Sequence, residues 1–224
     1  MLGRLQWSAR GRSKPERDSL YGLPVLRVDA GLDGFWGRGR LCRAGRGLLR
    51  QGVRRVLVPE DFDFWALLPG LAPVETESFV RAQSVPLALA ALGRRGLSPG
   101  QATVSLRGLR AGREMRRTAA ALCPLVRRLV VSAPSGGEEL ARWLRREFGV
   151  PVLPQDAEGQ VALCFHPDCP KGEETALTLC GPVPDLAGLT LSAPALEGED
   201  RRDLPVLSAL WEGGRLGEKD IEIT

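Results

Sequence analysis

Three observations predict an α/β fold built on a parallel β-sheet. Short apolar runs at residues 53–58 and 126–131 have the length and the valine content of buried strands. Amphipathic helical patterns stand between such runs, and glycine-rich turns connect strand to helix. The two runs also resemble each other in sequence, and each belongs to a segment with the order strand, glycine turn, basic helix, strand. Strands that alternate with helices form parallel sheets covered on both faces, so we expect two related βαβ units.

The composition is that of a globular protein. Of the 224 residues, 43% are hydrophobic and 26% are charged, which argues against disorder of the whole chain. No apolar run approaches the roughly 18 residues of a membrane helix, and the first residues lack the apolar core of a signal peptide. The five cysteines are an odd number, which favours reduced thiols over a disulfide framework. We therefore expect a cytoplasmic protein of bacterial type.

The charge is unevenly distributed along the chain. Residues 1–112 carry 18 Lys or Arg against 9 acidic residues, whereas residues 113–224 carry 13 against 18. A basic N-terminal half can attract an acidic partner, nucleic acid or a phosphorylated ligand, or it can be simply a solvated surface. Aromatic residues make up only 5% of the chain, which disfavours a nucleic-acid-binding surface.

Composition and periodicity divide the chain into four segments. Residues 1–20 lack periodicity and are expected to form a loose basic tail. Residues 21–83 form an N-terminal α/β lobe, with an arginine-rich helix over 35–51. Residues 84–168 form a second α/β lobe. Residues 169–224 are expected to be rich in β-strands, with a polar tail and no helix, because short apolar runs there, including 206–211, alternate with Pro/Gly loops.

Helix signals are strongest in the second lobe. Ser84 is expected to cap a helix that tolerates Pro86 in its first turn. Ser135 and Glu138 have the spacing of an S-x-x-E capping box ahead of a helix that ends at Gly149.

The central segment resembles a known family. From about residue 86 to residue 167 the elements are a helix at 87–92, a strand at 103–106, a glycine turn, a strand at 129–131, a helix from Glu138 to Gly149 and a strand at 161–163. This arrangement resembles the Rossmann half of shikimate-dehydrogenase-like and glutamyl-tRNA-reductase-like proteins. The resemblance implies a parallel Rossmann-like sheet with NAD(P) at the first glycine turn.

The sequence departs from the dinucleotide-binding fingerprint at two places. The first turn has two glycines four residues apart, with Arg110 between them, where the fingerprint has G-x-G-x-x-G. A serine- and glycine-rich stretch replaces the acidic residue after the second strand. Serine and arginine suit a 2′-phosphate and therefore NADP; alternatively, the glycines only make tight turns. The candidate cofactor-binding residues are Gly108, Arg110, Gly112, Ser132, Ser135 and Gly136.

Further ligand candidates follow the ends of other strands. Ligands of parallel α/β sheets bind beyond the carboxyl ends of the strands, where the outgoing loops gather. We therefore expect Arg107 and Ser132 at the same end of the sheet. The further candidates are Asp29, Gly31, Asp33, Glu60, Asp61 and Arg107. Acidic residues in such loops also commonly cap the next helix.

Cysteine and histidine cluster near residue 166 without a recognised metal spacing. Cys164, His166, Cys169 and Cys180 give the pattern C-x-H-x2-C-x10-C, which matches no common zinc site, so no metal is predicted. The chain has neither a G-x-S-x-G elbow nor a Walker loop, and no catalytic residue can be assigned.

Three functions remain open at this point. The first is a Rossmann-like binding protein for a nucleotide or another small anion. The second is an NADP-dependent oxidoreductase. The third is a non-catalytic interaction protein that docks a partner on its basic N-terminal half. The sequence does not establish whether the protein is an enzyme, or its oligomeric state.

Overall fold

The chain folds into two compact units. The computed structural model describes residues 1–8, 14–31, 37–169, 174–181 and 183–224. The first unit comprises Met1–Glu75 with Leu196–Gly217, and the second comprises Thr76–Ala195 with Glu218–Thr224. The expected C-terminal segment 169–224 is therefore shared between the two units. Within the described parts of the chain, no helix has both the length and the apolarity needed to cross a bilayer.

Six α-helices and twelve strands are formed by the described residues. The helices are α1 (Gly37–Arg50), α2 (Glu77–Ala82), α3 (Ser84–Arg94), α4 (Arg113–Leu122), α5 (Gly137–Phe148) and α6 (Leu204–Glu212). The strands are β1 (Leu2–Trp7), β2 (Glu16–Leu20), β3 (Leu23–Ala30), β4 (Arg55–Leu57), β5 (Ala72–Pro73), β6 (Thr103–Arg107), β7 (Arg128–Ser132), β8 (Val152–Leu153), β9 (Val161–Cys164), β10 (Thr175–Thr178), β11 (Leu191–Ser192) and β12 (Glu222–Ile223).

The first unit contains a five-stranded sheet in the order β2-β3-β1-β4-β5. Strands β1, β3, β4 and β5 run parallel, and β2 joins the edge as an antiparallel hairpin with β3. Helix α1 crosses from β3 to β4 and buries Leu41, Ala44 and Leu48 completely. The arginine-rich helix is therefore confirmed over its described residues, because its apolar side chains recur at helical spacing.

The second unit contains a fully parallel sheet in the order β10-β9-β6-β7-β8. The chain runs from β6 through α4 to β7 and through α5 to β8, and then crosses to β9 on the other side of β6. This is the strand order of a Rossmann half, and the predicted α/β class is confirmed. A small antiparallel pair, β11 with β12, lies outside this sheet.

The expectation of a loose tail over residues 1–20 is wrong. Strand β1 is the central strand of the first sheet, paired with β3 on one side and β4 on the other. Leu5 is 2% exposed, and Arg4 forms an ion pair of 2.9 Å with Asp200. A partner 196 residues away neutralises the arginine, so local composition does not reveal the strand.

The expectation of a C-terminal segment without helices is also wrong. The predicted strand at 206–211 lies within helix α6. Asp203 caps this helix by accepting a hydrogen bond of 3.1 Å from the Val206 amide, and Pro205 lies in the first turn. Five consecutive residues of the helix, from Val206 to Leu210, are buried. A helix buried all round lacks the amphipathic period, and its short apolar run resembles a strand.

Two predicted helix caps differ from those in the structure. Helix α2, which the sequence did not predict, precedes α3, and the hydroxyl of Ser84 is hydrogen-bonded to that of Thr118 at 2.7 Å instead of capping. Helix α5 has Gly136 as its N-cap, in the left-handed region with φ of 76°, and no side chain caps it. Ser135 lies one residue before this N-cap, so Ser135 and Glu138 do not form the predicted capping box.

Candidate functional site

The carboxyl edge of the second unit's sheet gathers most of the predicted site residues. Arg107 at the end of β6 is the register partner of Ser132 at the end of β7, and also of Cys164 at the end of β9. The expectation that Arg107 and Ser132 lie at the same end is therefore confirmed. The chain leaves β6 toward one side and β9 toward the other, so the edge between these two strands is a topological switch point, where open α/β sheets bind ligands.

The glycine turn after β6 uses several of its own amide groups within the protein. The Gly108 amide donates to the Ser132 carbonyl at 3.0 Å, and the Ala111 amide donates to the Ser135 carbonyl at 2.8 Å. The Gly112 amide donates to the Arg110 carbonyl at 2.8 Å. A dinucleotide turn directs such amides toward a pyrophosphate. Here three of these amides are already hydrogen-bonded within the protein, so fewer backbone donors are available to a ligand.

The N-terminus of α4 remains open to a ligand. Gly112 is the N-cap in extended conformation, with no side-chain cap, and a Cβ added there would meet nothing within 4 Å. The first amides of a helix have no acceptor within the helix and carry a partial positive charge. Arg110 and Arg113 are exposed beside this end and form no ion pair with any described residue. Glu114, in the same turn, is paired with Arg81 at 3.4 Å.

The serine loop after β7 is less suited to an anion. Ser132 is half-buried, Ser135 is exposed, and Gly136 makes the left-handed turn into α5. The first turn of that helix carries the carboxylates of Glu138 and Glu139. These repel an anion where the helix dipole would attract it. The predicted residues of this loop therefore border the edge, while α4 offers its more electropositive end.

Arg107 is held by the protein interior. Its side chain is 10% exposed and forms an ion pair with Glu174, whose side chain is fully buried. Glu174 also accepts hydrogen bonds of 2.9 Å from the Ser105 hydroxyl and 3.0 Å from the Gly159 amide. This network holds Glu174, the residue that precedes β10, against the centre of the sheet, so Arg107 has a structural partner in place of a ligand.

The loop after β9 brings thiols and a histidine to the same edge. Cys164 is 2% exposed, while His166 and Cys169 are half-buried. The Nδ1 atom of His166 accepts a hydrogen bond of 3.2 Å from the Asp168 amide. Arg81 donates to the Phe165 carbonyl at 3.1 Å and anchors the start of the loop. Among described residues, no group of three or more His, Cys, Asp or Glu side chains is arranged to hold a metal.

The candidates of the first unit lie at the edge of a different sheet. Asp29 contacts Arg27 at 3.4 Å, and Asp61 accepts a hydrogen bond of 2.8 Å from the Trp7 indole. Glu60 is exposed. Gly31 is buried against the backbone of Ser8, whose carbonyl oxygen would lie 2.5 Å from an added Cβ. Asp33 lies outside the described residues.

Sequence reasoning missed two contributors to the edge of the second unit and the thiol partner of a third. Arg81 comes from the unpredicted helix α2 and contacts Glu77 and Glu114. Glu174 precedes a strand and has no local signal of burial. Cys169 was identified in a cysteine–histidine pattern, but its thiol partner within that pattern depends on the turn that the chain makes after β9.

Comparison with known proteins gives limited matches. No family model matches the chain, and no curated protein sequence is significantly similar to it. One similar solved structure is L-tryptophan dehydrogenase from Nostoc punctiforme, with 15% identity, a TM-score of 0.32 and coverage of 73% of this chain and 55% of that enzyme. Another is a shikimate 5-dehydrogenase-like protein, with 12% identity, a TM-score of 0.28 and coverage of 74% and 65%.

A third is quinate dehydrogenase from Corynebacterium glutamicum in complex with NAD, with 15% identity, a TM-score of 0.29 and coverage of 74% and 70%. This chain thus spans about half of the length of the tryptophan dehydrogenase. The similar structures include proteins of the shikimate-dehydrogenase-like type that residues 86–167 resemble.

Proposed function

We propose that the protein binds a small anionic ligand, a nucleotide or another phosphorylated compound, at the carboxyl edge of the second unit's sheet. The observation that carries this proposal is the switch point between β6 and β9, whose outgoing loop after β6 ends at the uncapped N-terminus of α4. A helix N-terminus at a switch point combines amide donors with a convergence of loops. No catalytic role is assigned to any residue.

Local charge and space support an anion at this place. Gly112 leaves open space above the first amides of α4, and the exposed guanidinium groups of Arg110 and Arg113 flank it. Three amides of the preceding turn are paired within the protein. The available donors therefore suit one phosphate group better than a pyrophosphate laid along the turn. ATP and NADP both carry such a group at an end or a branch of the molecule.

A thermal-shift screen tests the proposal. NADP, NAD, ATP and inorganic phosphate are each added to the full chain, and a ligand that binds the folded state raises the melting temperature. The stabilisation is about 2.7 kcal/mol at a ligand concentration 100 times the Kd. We expect ATP or NADP to raise the melting temperature more than inorganic phosphate does, since the rest of the molecule adds contacts. No shift with any of the four would refute the proposal.

The substitution Gly112→Val tests whether the ligand binds at the N-terminus of α4. Valine is compatible with φ of −71° and its Cβ would meet nothing within 4 Å, so the unliganded variant should fold and melt only slightly below the native protein, since valine is a poorer N-cap than glycine. Its side chain occupies the space that a phosphate needs, and the ligand-induced shift should disappear. Gly100→Val is the matched control, because that glycine also has nothing within 4 Å and precedes β6, at the amino end of the strand and not at its carboxyl end. Retained binding in Gly112→Val would exclude α4 as the site.

NADP-dependent oxidation or reduction would be a further property of the same site. A shift with NADP that NAD does not match would indicate recognition of the 2′-phosphate. Turnover of the cofactor in the presence of candidate substrates would then identify an enzyme. Binding without turnover supports the binding protein that we propose.

A second candidate function is suggested by α1. This helix carries five arginines and no acidic residue, and four of them, Arg38, Arg43, Arg46 and Arg50, are exposed without an ion pair to any described residue. Such a face attracts polyanions or acidic proteins. Binding to heparin that weakens steeply with salt, together with a negative ligand screen, would favour this interaction role.

A further inference from the structure

The turn after β9 places two thiols in contact. Cys164 is the last residue of the strand and is 2% exposed, whereas Cys169 is half-buried and reaches solvent. The Cys169 amide donates to the His166 carbonyl at 3.4 Å, which folds the loop back toward the strand. The side chains of Cys164 and Cys169 are close enough to interact, with the Cys164 thiol as donor and the Cys169 sulfur as acceptor. One thiol of the pair is therefore accessible and the other lies behind it.

The surroundings make the two thiols chemically different. The hydrogen bond from Cys164 lowers the pKa of Cys169 to about 6, assisted by the backbone and ring of His166 and by the Arg107 guanidinium, against the opposing effect of burial. The same hydrogen bond, followed by burial, raises the pKa of Cys164, and the charges of Cys169 and Glu174 add to this while that of Arg107 opposes it. At neutral pH the pair holds one thiolate, on Cys169.

The other cysteines lack this arrangement. Cys180 is 4% exposed, and burial raises the pKa of its thiol, as does the nearby Glu77 carboxylate, while Arg81 opposes the shift. Burial likewise raises the pKa of Cys123. Cys42 is half-buried on α1 and is the natural control for an accessible thiol. Thiolates, and not thiols, are the nucleophiles in disulfide exchange.

We propose that Cys169 and Cys164 form a redox-active dithiol that a low-molecular-weight disulfide oxidises to an intramolecular disulfide. The Cys169 thiolate attacks one sulfur of the small disulfide, forming a mixed disulfide and releasing one small thiolate. Cys164 then loses its proton to solvent and attacks the Cys169 sulfur, which forms the Cys164–Cys169 bond and releases the second small thiolate. The protein dithiol loses two hydrogens and two electrons, and the small disulfide is reduced to two thiols.

The order of the two steps follows from the charges. While Cys169 is a thiolate, it accepts the Cys164 hydrogen bond and keeps the Cys164 pKa high. Formation of the mixed disulfide removes the negative charge from Cys169, and with it the main cause of that raised pKa. Cys164 then ionises more readily, next to the sulfur that it must attack. The accessible cysteine reacts first, and the buried one resolves the product.

Mass spectrometry tests the dithiol directly. The reduced full chain is incubated with oxidised glutathione, quenched with acid and N-ethylmaleimide, and analysed as intact protein and as peptides. We expect the native chain to lose two hydrogens, to retain no glutathione and to give a peptide linked between Cys164 and Cys169. Cys164→Ser should retain one glutathione on Cys169, Cys169→Ser should give neither product, and Cys42→Ser should behave as the native chain.

Three results would overturn the proposal. They are a stable glutathione adduct on Cys169 of the native chain, linkage of Cys169 to Cys180 in place of Cys164, and reaction of Cys42 as fast as that of Cys169. Peptide mapping of the native chain decides among these even if a serine variant fails to fold, and Cys164→Ala provides a second variant. Alkylation of Cys169 by iodoacetamide should reach half of its maximal rate near pH 6, and a midpoint near that of an ordinary thiol would contradict the assignment.

Discussion

The carboxyl edge of the first unit's sheet is filled by its own side chains, whereas that of the second unit's sheet presents unoccupied donors. In the first unit, the rings of Trp7 and Phe62 stack at 5.7 Å, and Phe64 and Trp65 approach the Phe62 ring edge-on at 5.9 and 5.1 Å. In the second unit, the uncapped α4 begins at the edge between exposed arginines. The carboxyl ends of the parallel strands thus serve packing in the first sheet and offer a site in the second.

The comparison shows how little strand-end position alone decides function. Asp61 follows β4 and Arg107 is the last residue of β6, and both are bound by side chains of their own unit, the Trp7 indole and the Glu174 carboxylate. Gly112 follows a strand too, but nothing occupies the space beside it. A strand-end residue is a ligand candidate only when the protein leaves its donors free.

Arg107→Met is expected to have the largest effect. It leaves the fully buried Glu174 carboxylate without its ionic partner, which costs about 3–5 kcal/mol of unfolding free energy. Urea unfolding of the full chain measures this, and Arg110→Met, at an exposed position, is the control. If the two variants unfold alike while ligand-induced stabilisation is lost only in Arg107→Met, then Arg107 is a ligand residue and the comparison fails at that position.

Phe62→Ala tests whether the edge of the first unit is a packed core. Phe62 is 8% exposed and contacts three other aromatic rings, so its removal should cost about 3 kcal/mol or more. Urea unfolding followed by tryptophan fluorescence reports on the neighbouring Trp7 and Trp65. Phe148→Ala, at a ring that is 43% exposed, should cost far less. Equal losses in the two variants would mean that the cluster is not a core.

Gly31→Ala examines the closeness of backbone to backbone at the same edge. Its Cβ would lie 2.5 Å from the Ser8 carbonyl oxygen, and the two chain segments must separate, at a cost of about 1–3 kcal/mol. Gly39→Ala is the matched control, since nothing lies within 4 Å and alanine favours the helix by about 0.5–1 kcal/mol. The two substitutions should therefore change the melting temperature in opposite directions. Two increases would show that the edge is open.

Asp203 gives the smallest predicted effect. Asp203→Ala removes the cap of α6 and should cost about 1 kcal/mol, whereas asparagine keeps the acceptor. Burial raises the pKa of Asp203 above its ordinary 3.8, so its contribution to stability is greatest below that pH and is lost as pH rises through the raised pKa. The free energy of unfolding of Asp203→Asn, measured relative to that of the native protein, should therefore increase as the pH rises through that interval. A constant difference across the interval would contradict the shift.

The parallel sheets follow from local sequence, because short valine-rich runs separated by amphipathic helices have few other solutions. The edge residues Arg107, Arg110 and Ser132 were accordingly placed at the correct end. Strand β1 was missed because its burial depends on pairing with β3 and β4, and on Asp200, which neutralises Arg4. These are contacts between distant parts of the chain. Helix α6 was missed for the opposite reason, since uniform burial erases its period.

Contacts with residues distant in sequence decide which of the predicted site residues are available to a ligand. The sequence around Arg107 does not predict its contact with Glu174, which is 67 residues away. The sequence around Asp61 likewise does not predict its contact with Trp7. The pairing of the Gly108 and Ala111 amides with the serine loop also requires β6 and β7 to be adjacent. Sequence therefore identified the edge, and the structure distinguished its occupied groups from its open ones.

Hydrogen–deuterium exchange with and without saturating ATP, and separately NADP, tests the contrast between the two edges most directly. Ligand contact with the open helix end predicts slower exchange in peptides that cover residues 109–116 and unchanged exchange in peptides that cover residues 58–65. Slower exchange at 58–65 with none at 109–116 would place the ligand at the edge that we describe as filled, and would contradict the account.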